Sequence, residues 1–423
     1  MANDKNESTE RPGSIIVMWV LLEGEPTAVK LKGSLSEFTD LDDFSSCLEQ
    51  KFDELKNVKP QKRTYFTYDD RNVPLSPDTV LTSLTTTASK PLVVRYPLSD
   101  ANIVVNYKFL RSSGEYQMPH TSGSWSLLRE AIIERFDKLL TENFYFVNNE
   151  TNKEIMNEYQ FNTLLLRTKP NEANDYILDL KIRIKGKKAY GDWKFRDVFQ
   201  DVLKQDHTSL DTVPRFNPNE LPIINPPMSV QELDLFIKKL EEKYYTLRNE
   251  IKNEATSREF ISIFMNTAVR HVQLHVNENT WLSVEVELDG SRGYGYADYA
   301  VYIQDNIVLV DEAKWKDLVE GIAQCVMEMH TLVEKLGKRK RDKSPTIFGI
   351  VTTGRSWRFI RWTGSLERPI VEISEEYVCR FKEDTKNSKD VIEYIIRILQ
   401  TQATSFLNDN RDNEHISKRN KSE

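Results

Sequence analysis

The 423-residue sequence is poor in cysteine and histidine, with three cysteines and six histidines. The cysteines are too few and too widely spaced for a disulfide framework, so we interpret them as buried thiols in a reducing compartment. The histidines form neither an HExxH motif nor a Cys/His cluster, which argues against a zinc site. His271, His275 and His330 have no partner at the spacing of metal ligands, and we expect them to be structural.

The sequence also lacks a long apolar run and an excess of positive charge. No segment approaches the roughly 18 consecutive apolar residues of a transmembrane helix, so no membrane partner is predicted. The first 14 residues are polar and carry no recognisable signal peptide. Because the formal net charge is −7, contact with nucleic acid would depend on local basic patches.

Apolar periodicity and breaker residues divide the sequence into several α+β and α/β segments. Hydrophobic residues make up 39% of the chain, which is enough for more than one core. The sequence does not specify an oligomeric state. The predicted segments are an N-terminal domain (14–98), a second domain (101–205), a proline-rich linker (206–228), a C-terminal domain (229–407) and a disordered polar tail (408–423).

Residues 14–98 show a pattern of two strands, a helix and two further strands. This order suits a helix packed across a mixed sheet, and it resembles the β-grasp fold of ubiquitin. The exposed face of a ubiquitin-like domain usually binds another protein, so the resemblance implies a protein partner for this N-terminal domain. The predicted elements are strands at 15–22 and 27–32, a helix at 41–55, and strands at 64–68 and 91–96.

Residues 101–205 offer a related pattern. A second β-grasp-like unit and an unrelated α+β domain both fit it. The predicted elements are a helix at 125–140 and strands at 103–110, 144–147, 161–167 and 176–184.

The C-terminal domain carries a hairpin (residues 298–314) with acidic and basic side chains on otherwise apolar strands. If its turn is the three residues 304–306, Asp298 lies directly opposite Glu312, and Lys314 shares their face. Two carboxylates at that spacing repel each other unless a cation lies between them, and Mg²⁺ prefers carboxylate oxygens. The same pattern also fits a surface ion pair at the end of a strand.

The wider order of motifs around this hairpin resembles the PD-(D/E)XK nucleases, especially the restriction-endonuclease-like group. The motifs are Glu254-x₃-Arg258, Gly295-x₂-Asp298, Glu312-x-Lys314 and the helix residue Gln324. The resemblance implies a mixed sheet flanked by helices. Ala297 stands where the name-giving proline would be, and proline supplies no chemistry.

The resemblance implies a metal-dependent nuclease that hydrolyses phosphodiester bonds, with DNA favoured over RNA. A degenerate copy of the fold would instead be a non-catalytic nucleic-acid-binding module. The implied roles are Asp298, Glu312 and the Ala313 carbonyl as ligands of Mg²⁺ or Mn²⁺, Lys314 for the attacking water, Glu254 for the metal shell or the water, and Gln324 for support of the site or a phosphate.

The densest basic cluster is Lys338-Arg339-Lys340-Arg341. It is typical of a nuclear localisation signal or of a loop that contacts the DNA backbone, while a solvated loop is the plainer alternative. Arg258 is a further candidate contact to nucleic acid. Tyr294, Tyr296 and Trp315 flank the hairpin, where they would either stack on bases or pack in the core.

The segment Leu92-Val93-Val94-Arg95-Tyr96-Pro97 resembles the valine-rich, proline-terminated motif that closes the N-terminal domain of Crinkler-type effectors. Those proteins join a ubiquitin-like N-terminal domain to a variable, often nuclease-like, C-terminal domain. The resemblance implies an effector or toxin that acts in the nucleus, including a host-cell nucleus after secretion. An adaptor whose ubiquitin-like face carries the function is the alternative.

Overall fold

The chain is a mixed α+β protein with two compact units, residues 1–185 and 186–423. The computed structural model describes residues 15–35, 37–71, 73–248, 250–314, 316–337 and 346–419. The boundary between the units differs from the predicted linker at 206–228. Phe216, Leu221 and Ile224 of that stretch are buried in the core of the second unit, because the apolar residues between its prolines pack rather than span a gap.

The first part of the N-terminal unit is a four-stranded sheet with one helix. Its strand order is β2-β1-β4-β3, and β1 and β4 are parallel. Helix α1 begins after Asp40, whose carboxylate accepts hydrogen bonds from two backbone N–H groups, and Phe44 and Leu48 are buried. The predicted order of elements is confirmed. The elements are β1 (Ile15–Leu22), β2 (Val29–Ser34), α1 (Leu41–Lys51), β3 (Thr64–Phe66) and β4 (Leu92–Arg95).

The second part of this unit repeats the same plan. Its strand order is β6-β5-β9-β7-β8, so a hairpin again precedes a helix, and the last strand again lies parallel to the first. The elements are β5 (Pro97–Phe109), β6 (Ser112–Thr121), α2 (Ser124–Arg135), β7 (Phe144–Asn148), β8 (Glu154–Ile155), α3 (Glu158–Arg167) and β9 (Tyr176–Ile184).

The strand predicted at 161–167 is wrong, because this segment belongs to helix α3. The Asn157 side chain caps the helix by accepting a hydrogen bond from the Gln160 N–H. Phe161 and Leu165 are buried four residues apart, which is the spacing of one helical face.

The C-terminal unit has an eight-stranded mixed sheet with helices on both faces. The main path is β10-β12-β13-β14-β15-β16, while β11 pairs with β12 and β17 pairs with β15. Apolar residues of α4, α5 and α7 form the core on one face, and those of α6 form the core on the other. The elements are β10 (Lys188–Ala189), α4 (Val230–Thr246), α5 (Glu254–His275), β11 (Thr280–Asp289), β12 (Gly293–Ile303), β13 (Asn306–Ala313), α6 (Leu318–Gly337), β14 (Thr346–Thr352), β15 (Ser356–Thr363), β16 (Ile370–Ile373), β17 (Tyr377–Val378) and α7 (Lys386–Arg419).

The turn between β12 and β13 is shorter than predicted. Ile303 pairs with Asn306, so the turn has two residues rather than the expected three. A bulge between Val301 and Tyr302 then shifts the register by one residue, and Tyr299 pairs with Asp311. Continuing this register by one residue aligns Asp298 with Glu312, as predicted. The alignment results from a two-residue turn plus a bulge, whereas the prediction assumed a three-residue turn without a bulge.

Helix α7 extends further than the sequence indicated. Residues 408–419, which we expected to be disordered, continue the helix to Arg419, and residues 420–423 lie outside the described chain. The buried side chains of Val391, Ile395 and Leu399 anchor its first half, and extending an established helix costs little. None of the described helices combines the length and apolar composition of a membrane span.

Candidate active site

Asp298 and Glu312 are buried on neighbouring strands, with exposures of 1% and 2%. One oxygen of Asp298, Oδ2, accepts a hydrogen bond of 2.8 Å from the Ala313 N–H. The other oxygen, Oδ1, accepts one from the guanidinium of Arg258. The sheet therefore brings the two predicted acidic ligands and Ala313 into one region.

Arg258 reaches this region from the first turns of α5. The helix begins at Asn253, whose side chain accepts a hydrogen bond from the Thr256 N–H. Glu254 and Arg258 lie on the same helical face, and Arg258 Nη2 contacts Glu254 Oε1 at 2.9 Å. Arg258 Nη1 also contacts Glu285 Oε1 at 3.0 Å. The residue predicted to contact nucleic acid is thus paired with three carboxylates.

Lys314 connects the acidic strands to helix α6. Its Nζ donates to Glu312 Oε1 at 2.6 Å and to Gln324 Oε1 at 2.9 Å. The helix can approach because residue 321 is glycine, where a Cβ atom would lie 2.9 Å from Lys314 Cγ. Gln324 therefore contacts Lys314, and its supporting role stays a prediction.

The charge environment keeps Lys314 protonated. Burial acts to lower the pKa of its ammonium group, but the negative charge of Glu312 and the hydrogen bond to it act in the opposite direction. Asp298 and Glu254 add to this effect, and the net result is a pKa above the ordinary lysine value. At neutral pH Lys314 is therefore a cation and a hydrogen-bond donor.

Glu328 is a site residue that the sequence analysis missed. It lies one turn after Gln324 on α6, is fully buried, and accepts a hydrogen bond of 3.1 Å from Gln324 Nε2. Burial, followed by the charge of Glu312, raises the pKa of Glu328 well above its usual value. The sequence pattern that could have indicated Glu328 is its position four residues after Gln324, which places two polar residues on one otherwise apolar helical face.

Asp311 is a second missed carboxyl group, on the opposite face of β13 from Glu312. It is fully buried, and its two oxygens have no hydrogen-bond partner among the described residues. Burial raises the pKa of Asp311 well above the usual value, and the charges of Asp298 and Glu312 raise it further. Several carboxyl groups therefore lie close together on β12, β13 and α6. A cation bound among them would be stabilised by their charge.

The remaining predicted site residues lie partly outside the described chain. Tyr294 is fully buried, in agreement with a packing role, whereas Tyr296 is only partly buried. Trp315 and the basic cluster at 338–341 fall outside the described residues.

Comparison with known proteins gives a weak relationship. No family model matches the sequence. The chain is similar to Crinkler effector protein 1 of Rhizophagus irregularis, with 24% identity over 227 residues, covering 50% of this chain and 46% of that protein. The chain thus spans about half the length of the relative it matches. This similarity supports a Crinkler-like relationship.

Proposed function

We propose that the C-terminal unit is a divalent-metal-dependent nuclease of the PD-(D/E)XK type that hydrolyses phosphodiester bonds, with DNA as the first substrate to test. The observation that carries the proposal is the convergence of two buried carboxylates, Asp298 and Glu312, with the ammonium group of Lys314. A mixed sheet with helices on both faces supports a restriction-endonuclease-like fold.

The donor atoms of this region fit a hard divalent cation. Carboxylate oxygens of Asp298 and Glu312, with the carbonyl oxygen of Ala313, are the ligand type that Mg²⁺ and Mn²⁺ prefer. A bound ion of this kind would supply Lewis-acid activation of water and of the phosphoryl oxygen. In the described structure, Arg258 and Lys314 provide the positive charge beside the two carboxylates.

We further propose distinct roles for the polar residues of this region. Lys314 is a cation that donates hydrogen bonds to Glu312 and Gln324, so it is suited to stabilise negative charge on the phosphate. Gln324 accepts from Lys314 and donates to Glu328, so Gln324 and Glu328 are positioning residues for the ammonium group. Glu254 contacts Arg258 and thereby helps to orient its guanidinium group.

A second candidate function is a non-catalytic nucleic-acid-binding module. It is favoured by the ion pair between Arg258 and Asp298, because both oxygens of Asp298 already have protein donors. In a binding module Arg258 would permanently replace the metal ion, whereas in a nuclease it would have to move aside.

Metal dependence separates the two candidates. The full chain would be incubated with supercoiled plasmid, single-stranded DNA and RNA in Mg²⁺, Mn²⁺ or EDTA, with binding and cutting followed in parallel. The nuclease proposal predicts cutting that requires the metal. Binding without cutting in every condition would reject the nuclease and favour the module.

We also propose that the N-terminal unit contains two ubiquitin-like domains and that the protein acts in the nucleus as an effector. The repeated strand order of the two sheets supports the first part, and the similarity to a Crinkler effector supports the second. A fluorescent fusion of the full chain should accumulate in nuclei, and replacing Lys338, Arg339, Lys340 and Arg341 by glutamine should abolish this. Unchanged distribution of that variant would contradict the role of the basic cluster.

A further inference from the structure

A different polar cluster lies where the start of α4 meets the C-terminal half of α5. It consists of Glu232 from α4 and His271 and His275 from α5. An α-helix rises about 1.5 Å per residue, so these histidines lie about 20 Å or more along α5 from Arg258. The two histidines are four residues apart and share a helical face, so the expectation that they lack a partner at metal-ligand spacing is wrong.

The spacing of the three side chains matches a coordination site. Glu232 Oε1 lies 3.4 Å from His271 Nδ1 and 3.7 Å from His275 Nε2. One ligand atom from each of the three residues lies within 4.8 Å of the others. Bonds of about 2.0–2.2 Å to a tetrahedral zinc ion place its donor atoms roughly 3.3–3.5 Å apart. Two of the three donor separations, 3.4 and 3.7 Å, are therefore close to this spacing, and the third is at most 4.8 Å.

Neighbouring backbone groups orient these donors. His271 Nε2 lies 3.1 Å from the carbonyl oxygen of Pro226, which can only accept, so Nε2 carries the hydrogen. His271 Nδ1 faces Glu232 Oε1, so a protonated ring donates a hydrogen bond to the carboxylate. A neutral ring with its hydrogen on Nε2 instead presents the Nδ1 lone pair to the carboxylate, and a cation between the two atoms would be held by both. A carbonyl that holds the second N–H is the usual support of a metal-binding histidine.

Glu232 is held in a similar way. Its second oxygen, Oε2, accepts a hydrogen bond of 2.7 Å from the Ser229 N–H as part of the capping box of α4. That contact leaves Oε1 directed at the histidines. The side chains of Glu232 and His275 are 33% and 35% exposed, so solvent can supply both the ion and a water ligand.

We propose that Glu232, His271 and His275 bind a Zn²⁺-type transition-metal ion that clamps α4 to α5, with a fourth position open to water. Two imidazole nitrogens favour zinc, cobalt or nickel over Mg²⁺, which prefers an all-oxygen ligand set. This site is chemically and spatially distinct from the acidic region around Asp298.

The test is metal binding by the full chain after removal of metals with a chelator. Zn²⁺ would be titrated by calorimetry, and Co²⁺ would be followed by the visible absorption of a tetrahedral complex. Glu232→Gln and His275→Gln should each lose one bound ion or weaken its affinity at least about tenfold. His207→Gln, which removes a histidine elsewhere in the same unit, should bind as the wild type does. Zn²⁺ should raise the melting temperature of the wild type but not that of His275→Gln.

Two results would overturn the proposal. Failure of the folded wild-type chain to bind Zn²⁺ would mean that the cluster is only a hydrogen-bonded pair with a neighbouring histidine. Unchanged stoichiometry and affinity in both variants would mean that the ion binds elsewhere, for example at the acidic region. Circular dichroism would confirm that each variant is folded.

Discussion

At the scale of residues, the candidate active site is governed by closely spaced, buried carboxyl groups. Asp298, Glu312, Asp311 and Glu328 are almost fully buried, and the described cations beside them are Arg258 and Lys314. The sequence predicted that Asp298, Glu312 and Lys314 share one face of the hairpin because alternation along a strand fixes which side chains share a face. It did not predict Glu328, whose placement depends on how closely α6 approaches the sheet.

Replacing Lys314 by glutamine tests its electrostatic role. The amide keeps some hydrogen bonding but removes the charge, so we expect the metal-dependent cleavage rate to fall about 10²–10³-fold. Lys238→Gln, a matched change at an exposed lysine on α4, should leave the rate unchanged. Equal cleavage rates for Lys314→Gln and Lys238→Gln would show that Lys314 does not contribute to cleavage.

Replacing Glu328 by glutamine tests the cost of burying an ionisable group. Because the pKa of Glu328 is raised in the folded state, its contribution to stability is complete below about pH 4.5, the ordinary value, and is lost as the pH rises toward the folded pKa. Glu328→Gln should therefore melt at a higher temperature than the wild type at pH 8, with the difference shrinking toward pH 4.5.

Glu320→Gln is the control for this measurement, because Glu320 lies on the same helix with an exposed side chain. If the difference in melting temperature between Glu328→Gln and the wild type does not change with pH, the pKa of Glu328 is the same in the folded and unfolded states.

At the scale of elements, the hairpin of β12 and β13 shows what pattern can and cannot predict. The alignment of Asp298 with Glu312 was predicted by counting outward from an assumed three-residue turn. The two-residue turn and the bulge at Val301 and Tyr302 were not, because a bulge leaves no clear signal in the alternation. The segment of helix α3 was predicted to be a strand for a related reason, since a short apolar run fits both the strand period and the helix period.

The close approach of α6 to the sheet is testable at Gly321. A Cβ atom there would lie 2.5 Å from Val351 Cγ1 and 2.9 Å from Lys314 Cγ. We expect Gly321→Ala to destabilise the unit by about 1–3 kcal/mol and to slow cleavage by displacing Lys314.

Gly337→Ala is the matched control at the end of the same helix, where an added Cβ has no neighbour within 4 Å among the described residues. It should be neutral or stabilising by up to about 1 kcal/mol, as measured by urea denaturation. Equal effects of the two substitutions would contradict the packing explanation.

At the scale of the whole molecule, the domain boundary was the least predictable feature. Five prolines between residues 214 and 227 indicated a linker, yet Phe216 and Leu221 in that stretch are buried. Proline content reports backbone stiffness and lost hydrogen-bond donors, and a stiff segment can either span a gap or lie on a core. Whether such a segment is a linker or part of a core depends on whether its apolar residues pack against other apolar residues.

This boundary predicts which fragment folds. Residues 186–423 should form a soluble domain with a single cooperative melting transition. A fragment of 229–423 would lack Tyr190, Phe199 and Phe216, which are buried in the cores of this unit. Since losing one buried aromatic side chain costs about 3–5 kcal/mol and domains are stable by only about 5–15 kcal/mol, the shorter fragment should be unfolded or aggregate. Equal stability of the two fragments would contradict the boundary.

In the proposed nuclease, the carboxylate of Asp298 is part of a divalent-metal site for phosphodiester hydrolysis. The most direct test of this role is the initial rate of Mg²⁺-dependent plasmid cleavage by the wild type, Asp298→Asn and Asp305→Asn, each confirmed to be folded. Asp305 lies exposed in the turn of the same hairpin, so its substitution is a matched control. We predict loss of cleavage in Asp298→Asn and wild-type rates in Asp305→Asn. Cleavage by Asp298→Asn at the wild-type rate would show that the hydrolytic site lies elsewhere.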